Sequence, residues 1–126
     1  MYKIEKTEYG IKNTFSGNID ATEMNEWKKE SEVLLEDMPK EFVVYIDMIG
    51  LKILSDDAKH IISEGQKIYR QKGMKRSVVV LKSATVALQF KNIARETGIY
   101  DYERYLSSEK DDYEDKAMLW LLEGKE

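Results

Sequence analysis

The chain has 126 residues, 42% hydrophobic and 35% charged, with a formal net charge of −4, one His, one Pro and no Cys. This length fits one domain, 1–126, burying about two-thirds of its unfolded surface without a covalent staple. The lack of Cys excludes disulfides, thiolate metal sites and a thiol nucleophile, and one His makes no multi-His site, so no metal or other cofactor is expected.

Residues 2–8 and 11–16 read as a hairpin. Tyr2 and Ile4 alternate with Lys3 and Glu5, and Ile11, Asn13 and Phe15 alternate with Lys12, Thr14 and Ser16, giving each strand one drier face. Tyr9-Gly10 supplies the turn. Residues 21–38 predict a helix, with Met24, Trp27, Ser31, Leu34, Leu35 and Met38 on one face, Asp20 or Thr22 as cap, and Pro39 ending it. Phe42–Ile46 and Ser77–Leu81 are continuous runs of the kind found in strands buried on both faces. Between them, about 55–72 reads as a helix with Ala58, Ile61, Ile62, Gly65, Ile68 and Tyr69 inward, Ser55 as N-cap and Gly73 as C-cap. A helix of about 84–97 buries Val86, Ala87, Phe90, Ile93 and Ala94 between Ser83 and Gly98. A strand at about 103–106 and a helix at about 111–123, burying Tyr113, Ala117, Trp120 and Leu121, complete the chain.

The expected fold is therefore α/β, with a mixed, mostly parallel sheet of about five strands and four helices in the order β-β-α-β-α-β-α-β-α. The longest apolar run is about five residues, too short to span a bilayer. Lys3, Glu5, Lys6 and Glu8 stand where a signal peptide needs apolar residues. A soluble, cytoplasmic protein is expected.

Charge is distributed in blocks. Residues 1–64 carry a net −6, residues 65–95 a net +8 with no acid, and residues 96–126 a net −6. The middle block (Lys67, Arg70, Lys72, Lys75, Arg76, Lys82, Lys91, Arg95) has two readings: a patch for phosphates, anionic headgroups or an acidic partner, or the solvated rims of ordinary elements. Nucleic acid is not expected, because the chain is acidic overall and carries no nucleic-acid motif.

Few residues carry chemistry. His60 falls on the opposite side of its helix from Ala58, Ile62 and Tyr69, at about 100° per residue, and so faces water. No G-x-S-x-G elbow, G-x-G-x-x-G or Walker sequence is present. No catalytic residue is assigned and no enzyme is expected. Asp47 ends a buried strand at the edge where open α/β sheets place ligands; it can meet a ligand or hydrogen-bond loop amides. The acidic run at 111–115 lacks the Gly and terminal Glu of a calcium loop and reads as the first turn of a helix.

The segment after Asp47 is the most informative. Met48, Ile49, Leu51, Ile53 and Leu54 are apolar where a solvent loop should be polar. They form a docking surface or pocket mouth, or else plug the core. Ser55 and Asp56 begin the next helix, and Ser83 and Thr85 the one after it. The free amides beside Ser83 can hold an anion, or Ser83 can simply cap them. Tyr100, Tyr102, Tyr105, Tyr113 and Trp120 cluster late, as core anchors or as a homodimer surface.

The stretch Phe15-Ser16-Gly17-Asn18-Ile19-Asp20, the strand ending Tyr45-Ile46-Asp47 and the apolar loop leading into a helix together resemble the STAS fold. That is the fold of anti-sigma-factor antagonists and of sulfate-transporter tails. Lys75-Arg76-Ser77-Val78-Val79-Val80 and the ending Ala117-Met118-Leu119-Trp120-Leu121 are similar to its SpoIIAA-like branch, which is grouped with the lipid-binding CRAL-TRIO fold. The resemblance covers about residues 2–122. It implies a regulatory or protein-interaction module, with a small apolar-ligand or lipid carrier as the alternative and peripheral membrane contact in reach. In the antagonists the corresponding loop reads Asp-Ser-Ser-Gly, and its first Ser is phosphorylated. Here it reads Ser55-Asp56-Asp57-Ala58. Asp56 stands in the phosphorylatable position, so the phosphoswitch does not carry over.

Overall fold

The sheet forms where β-branched and aromatic residues concentrate. The computed structural model describes residues 1–126. β1 (Tyr2–Lys6) pairs antiparallel with β2 (Gly10–Phe15). β3 (Phe42–Met48), β4 (Met74–Leu81) and β5 (Glu103–Ser107) then add in parallel, so spatial order follows chain order. The helices are α1 (Ala21–Leu35), α2 (Asp56–Gln71), α3 (Ala84–Thr97) and α4 (Tyr113–Glu123), with a 3₁₀ turn at Tyr100–Tyr102. The predicted α/β class, mixed sheet and element order are all observed.

Right-handed crossovers repeated in one direction place every crossover helix on the same face. Met24 and Trp27 of α1, Ala58 and Ile62 of α2, and Val86 and Phe90 of α3 accordingly share one core with Ile11, Phe15, Val44, Ile46, Val79 and Leu81. The last helix follows β5 without a further strand and covers the opposite face, where Ala117, Trp120 and Leu121 pack on Val43, Tyr45, Val78 and Val80. Both faces of β3 and β4 are thus dry, which explains their unbroken apolar sequence.

Boundaries differ from expectation where polar residues interrupt a pattern. β3 runs on through Asp47 to Met48, and α1 ends at Leu35 in single-turn bonds such as Met38 N–H to Leu35 C=O, 3.3 Å. β4 begins at Met74, because Lys75 is an extra residue: Phe42 pairs with Met74 but Val43 pairs with Arg76. This bulge turns Met74 toward the three-helix core and leaves Arg76 on the α4 side. The α2–β4 turn needs glycine. Gly73 has φ of 118°, and a Cβ there would lie 1.9 Å from the Lys40 carbonyl oxygen. Lys72 occupies the helix C-cap that was expected at Gly73.

Candidate functional site

β2, β3 and β4 end together at one edge of the sheet, and the 49–55 loop crosses it. Backbone bonds fasten the loop to the segment after β2: Gly17 N–H donates to Gly50 C=O at 2.8 Å and Lys52 N–H to Gly17 C=O at 3.1 Å. Met48, Leu51 and Leu54 are consequently only 2%, 4% and 4% exposed. They close the core, which corrects their assignment to a partner or ligand surface: burying three apolar side chains outweighs leaving them in water. Ile49 is half-buried against the α4 core, while Ile53 alone projects outward, 60% exposed. Asp47 Oδ1 accepts from Ile49 N–H at 3.0 Å, so it shapes this turn.

Helix starts at this edge are occupied by their own caps. Asp20 accepts from Glu23 N–H, Ser55 Oγ from Ala58 N–H at 3.2 Å, and Ser83 Oγ from Val86 N–H at 3.2 Å. Ser55 and Ser83 therefore serve their helices. Asp56 is almost fully exposed and pairs with Lys59 at 3.2 Å.

Between α2 and α3 lies an open groove of about 430 Å³. Asp56, Lys59 and His60 form part of one wall, and Thr85, Leu88 and Asn92 part of the other. His60 is exposed there, as its helical position predicts. Leu88 is 57% exposed, unusual for a leucine on a helix flanking a core. Its neighbour Gln89 straps the apolar loop to α3, donating to Leu54 C=O and accepting from Leu54 N–H, both at 3.2 Å. Exposed Ile53 and exposed Leu88 each precede one member of the Leu54–Gln89 strap.

Beneath these helices the core is unexpectedly polar. Tyr69 Oη accepts from Asn13 Nδ2 at 3.2 Å and lies 2.7 Å from Ser31 Oγ. The buried Asn13 Oδ1 and Trp27 Nε1 have no partner in the protein. Both residues, with Gln66, Tyr69 and Glu103, line a cavity of about 20 Å³, enough for about one water and far short of an acyl chain. Glu103 is 1% exposed. Ser77 Oγ and Tyr105 Oη donate to its two oxygens, each at 2.6 Å. Burial pushes this carboxyl up to about 7, against the downward pull of those two donors. Burial, then the adjacent Glu103, push the Tyr105 hydroxyl up as well. Both Glu103 oxygens are held by internal donors and face no open groove.

The positive block separates in space. Lys82 and Lys91 border a depression beside Ser83 and Ser107, whereas Arg70, Lys75 and Arg76 surround another at the opposite end of β4. The late aromatics lie mainly inside or under these cations: Trp120 is buried, Tyr100 and Tyr105 stack at 6.3 Å, and Tyr102 is 43% exposed. No group of three or more His, Asp or Glu residues is arranged to hold a metal ion, and no helix is long and apolar enough to cross a membrane.

Sequence reasoning missed Asn13, Ser31, Gln66, Ser77 and Glu103 as a buried polar set. Only Asn13, Ser31 and Ser77 carried a signal, as polar residues on faces or in runs otherwise apolar. No protein-family model matches the chain, and no curated protein matches it.

Proposed function

We propose that this chain is a non-enzymatic, STAS-like interaction module that receives a protein partner on its α2–α3 face. The observation that carries this reading is exposed Leu88 in the lining of the 430 Å³ groove, together with exposed Ile53 next to the Leu54–Gln89 strap. Apolar side chains rimmed by Asp56, Lys59, His60 and Asn92 match an interface with a small dry centre and a polar border. The STAS resemblance supports the same surface, since it implies that regulation acts at the start of α2, here Ser55 and Asp56. Asp56 and Thr85 remain part of the surface; Met48, Leu51 and Leu54 support it from beneath. The carrier alternative rests on the resemblance and the positive block, and the cavity beneath the helices, which admits a water and no lipid chain, gives it no support.

The test compares Ile53→Asp/Leu88→Asp with Val33→Asp, a control on α1 where Val33 is 69% exposed. Purified proteins are used to capture partners from the source cell, with circular dichroism confirming the fold. A partner held by wild type and V33D and lost from I53D/L88D is the expected result. Equal capture by all three proteins, or none by wild type, overturns the proposal. A second copy of this chain as the captured protein identifies the face as a homodimer contact.

A further inference from the structure

Three of the eight cations of the middle block, Arg70, Lys75 and Arg76, meet Tyr102 of the late aromatic cluster at the N-terminal end of β4. None of the eight basic side chains between 65 and 95 takes part in any of the seven ion pairs of the structure. This is unusual in a chain whose acids outnumber its bases. Several of these cations rest on aromatic rings instead. The Arg70 guanidinium lies 4.2 Å from the Tyr102 ring centre and that of Arg76 5.9 Å from Trp120.

Both guanidiniums are also fixed by backbone carbonyls. Arg70 Nη1 donates to Met74 C=O at 2.7 Å, while Arg76 Nε and Nη2 both donate to Leu121 C=O, at 3.2 and 2.9 Å. These bonds leave Arg70 Nε and Nη2, and Arg76 Nη1, without a partner in the protein. Arg70 comes from the three-helix layer, whereas Arg76 is turned to the α4 side by the bulge at Lys75. Arg70, Lys75 and Arg76 all line one surface pocket of about 360 Å³, together with Tyr102 and Glu41. Glu41 is the sole carboxylate in the lining, so the pocket keeps a net charge of +2.

We propose that this pocket binds a phosphate dianion. A guanidinium fork fits phosphate oxygens with two parallel donors, and stacking plus carbonyl bonds remove much of the side-chain entropy that binding otherwise costs. A charge of +2 is matched by a dianion and only half matched by a carboxylate. The site lies at the opposite end of the sheet from the α2–α3 face, so it does not depend on the partner reading.

Thermal unfolding with inorganic phosphate, against sodium chloride at equal ionic strength, tests this. Phosphate raises the wild-type midpoint by roughly 5–10 °C at about fifty times Kd. Arg70→Gln and Lys75→Gln each lose that rise. Lys75 is exposed and structurally unengaged, so K75Q keeps the test valid if R70Q folds poorly. The control Lys67→Gln/Lys72→Gln removes equal or greater charge outside the pocket and retains the rise. Equal response to both salts, or loss of the response in the control, overturns the proposal. Co-sedimentation with phosphatidylcholine vesicles containing phosphatidate separates the sources. Vesicle binding together with a phosphate response identifies a headgroup phosphate, a phosphate response alone identifies a soluble one, and vesicle binding without a phosphate response overturns the pocket.

Discussion

Replacing Glu103 with Gln should change how stability depends on pH, by an amount set by the buried site. The carboxyl ordinarily titrates at 4.5 and is pushed up to about 7 by burial. Because the folded value is raised, the neutral acid is favoured in the folded state. Below 4.5 both states hold the proton and its stabilisation is complete. Between 4.5 and about 7 the unfolded chain loses the proton first, so stability falls as pH rises. At about 1.4 kcal/mol per pH unit the loss reaches about 3 kcal/mol, an order-of-magnitude figure, and levels off above neutrality. Glutamine keeps the shape and cannot ionise. Ser77 Oγ can still donate to its carbonyl, and Tyr105 Oη can accept from its amide while donating to Phe90 C=O, 3.4 Å away. The cations facing this cluster are Lys91, over the Tyr105 ring, and Arg95, over the Tyr100 ring. Urea unfolding of wild type and E103Q from pH 5 to 8.5 gives the assay. Wild type should lose about 2–3 kcal/mol relative to the variant across the series, so that E103Q is the more stable protein at pH 8. Parallel curves would refute an elevated Glu103.

Two further outcomes test the packing. Leu51→Ala should cost about 2–5 kcal/mol in urea unfolding, because a leucine 4% exposed leaves a cavity. Ile53→Ala, two residues along and 60% exposed, should change stability by less than about 0.5 kcal/mol; equal losses would refute the plug. Gly65→Ala should destabilise by about 1–3 kcal/mol although alanine is the better helix former by about 1 kcal/mol. A Cβ at Gly65 would lie 2.3 Å from Trp27, whose ring is held between Phe15 at 5.4 Å and Tyr69 at 5.7 Å and cannot yield. A higher thermal midpoint for G65A would show that the ring does yield.

Elements were legible where burial repeats at a local period. α3 matches its predicted span because Val86, Phe90 and Ile93 mark one face and Ser83 and Gly98 mark both ends. The bulge was hidden because the apolar run begins only at Ser77, and only pairing with β3 shows that the strand has already begun at Met74. Glu103 was illegible for a similar reason. Among Asp101, Arg104 and nearby tyrosines it looks exposed, yet its register opposite Ser77 carries it under α3. Asn13 and Tyr69 are 56 positions apart, so no local pattern announces their bond. The apolar loop was recognised as unusual, but whether Met48, Leu51 and Leu54 plug the core or face a partner is decided by the Gly17–Leu51 bridge, a tertiary contact.

The two ends of the sheet differ in what they offer an anion. In parallel α/β sheets helix N-termini gather at the C-terminal edge of the strands, and their free amides usually make that edge the anion site. Here Asp20, Ser55 and Ser83 already accept those amides, and Glu23, Asp56 and Asp57 stand in the first turns of α1 and α2. The apolar loop seals what remains. An anion approaching α1 or α2 at that edge would meet carboxylates before it met a dipole. At the other end Glu41 is the one carboxylate lining the pocket with Arg70, Lys75 and Arg76. Part of the +8 block along the chain thus gathers at this end as Arg70, Lys75 and Arg76, while Lys82 and Lys91 lie at the other. A mutation at one end should leave binding at the other unchanged, because the buried β-strands between them are rigid and no charged group spans the distance.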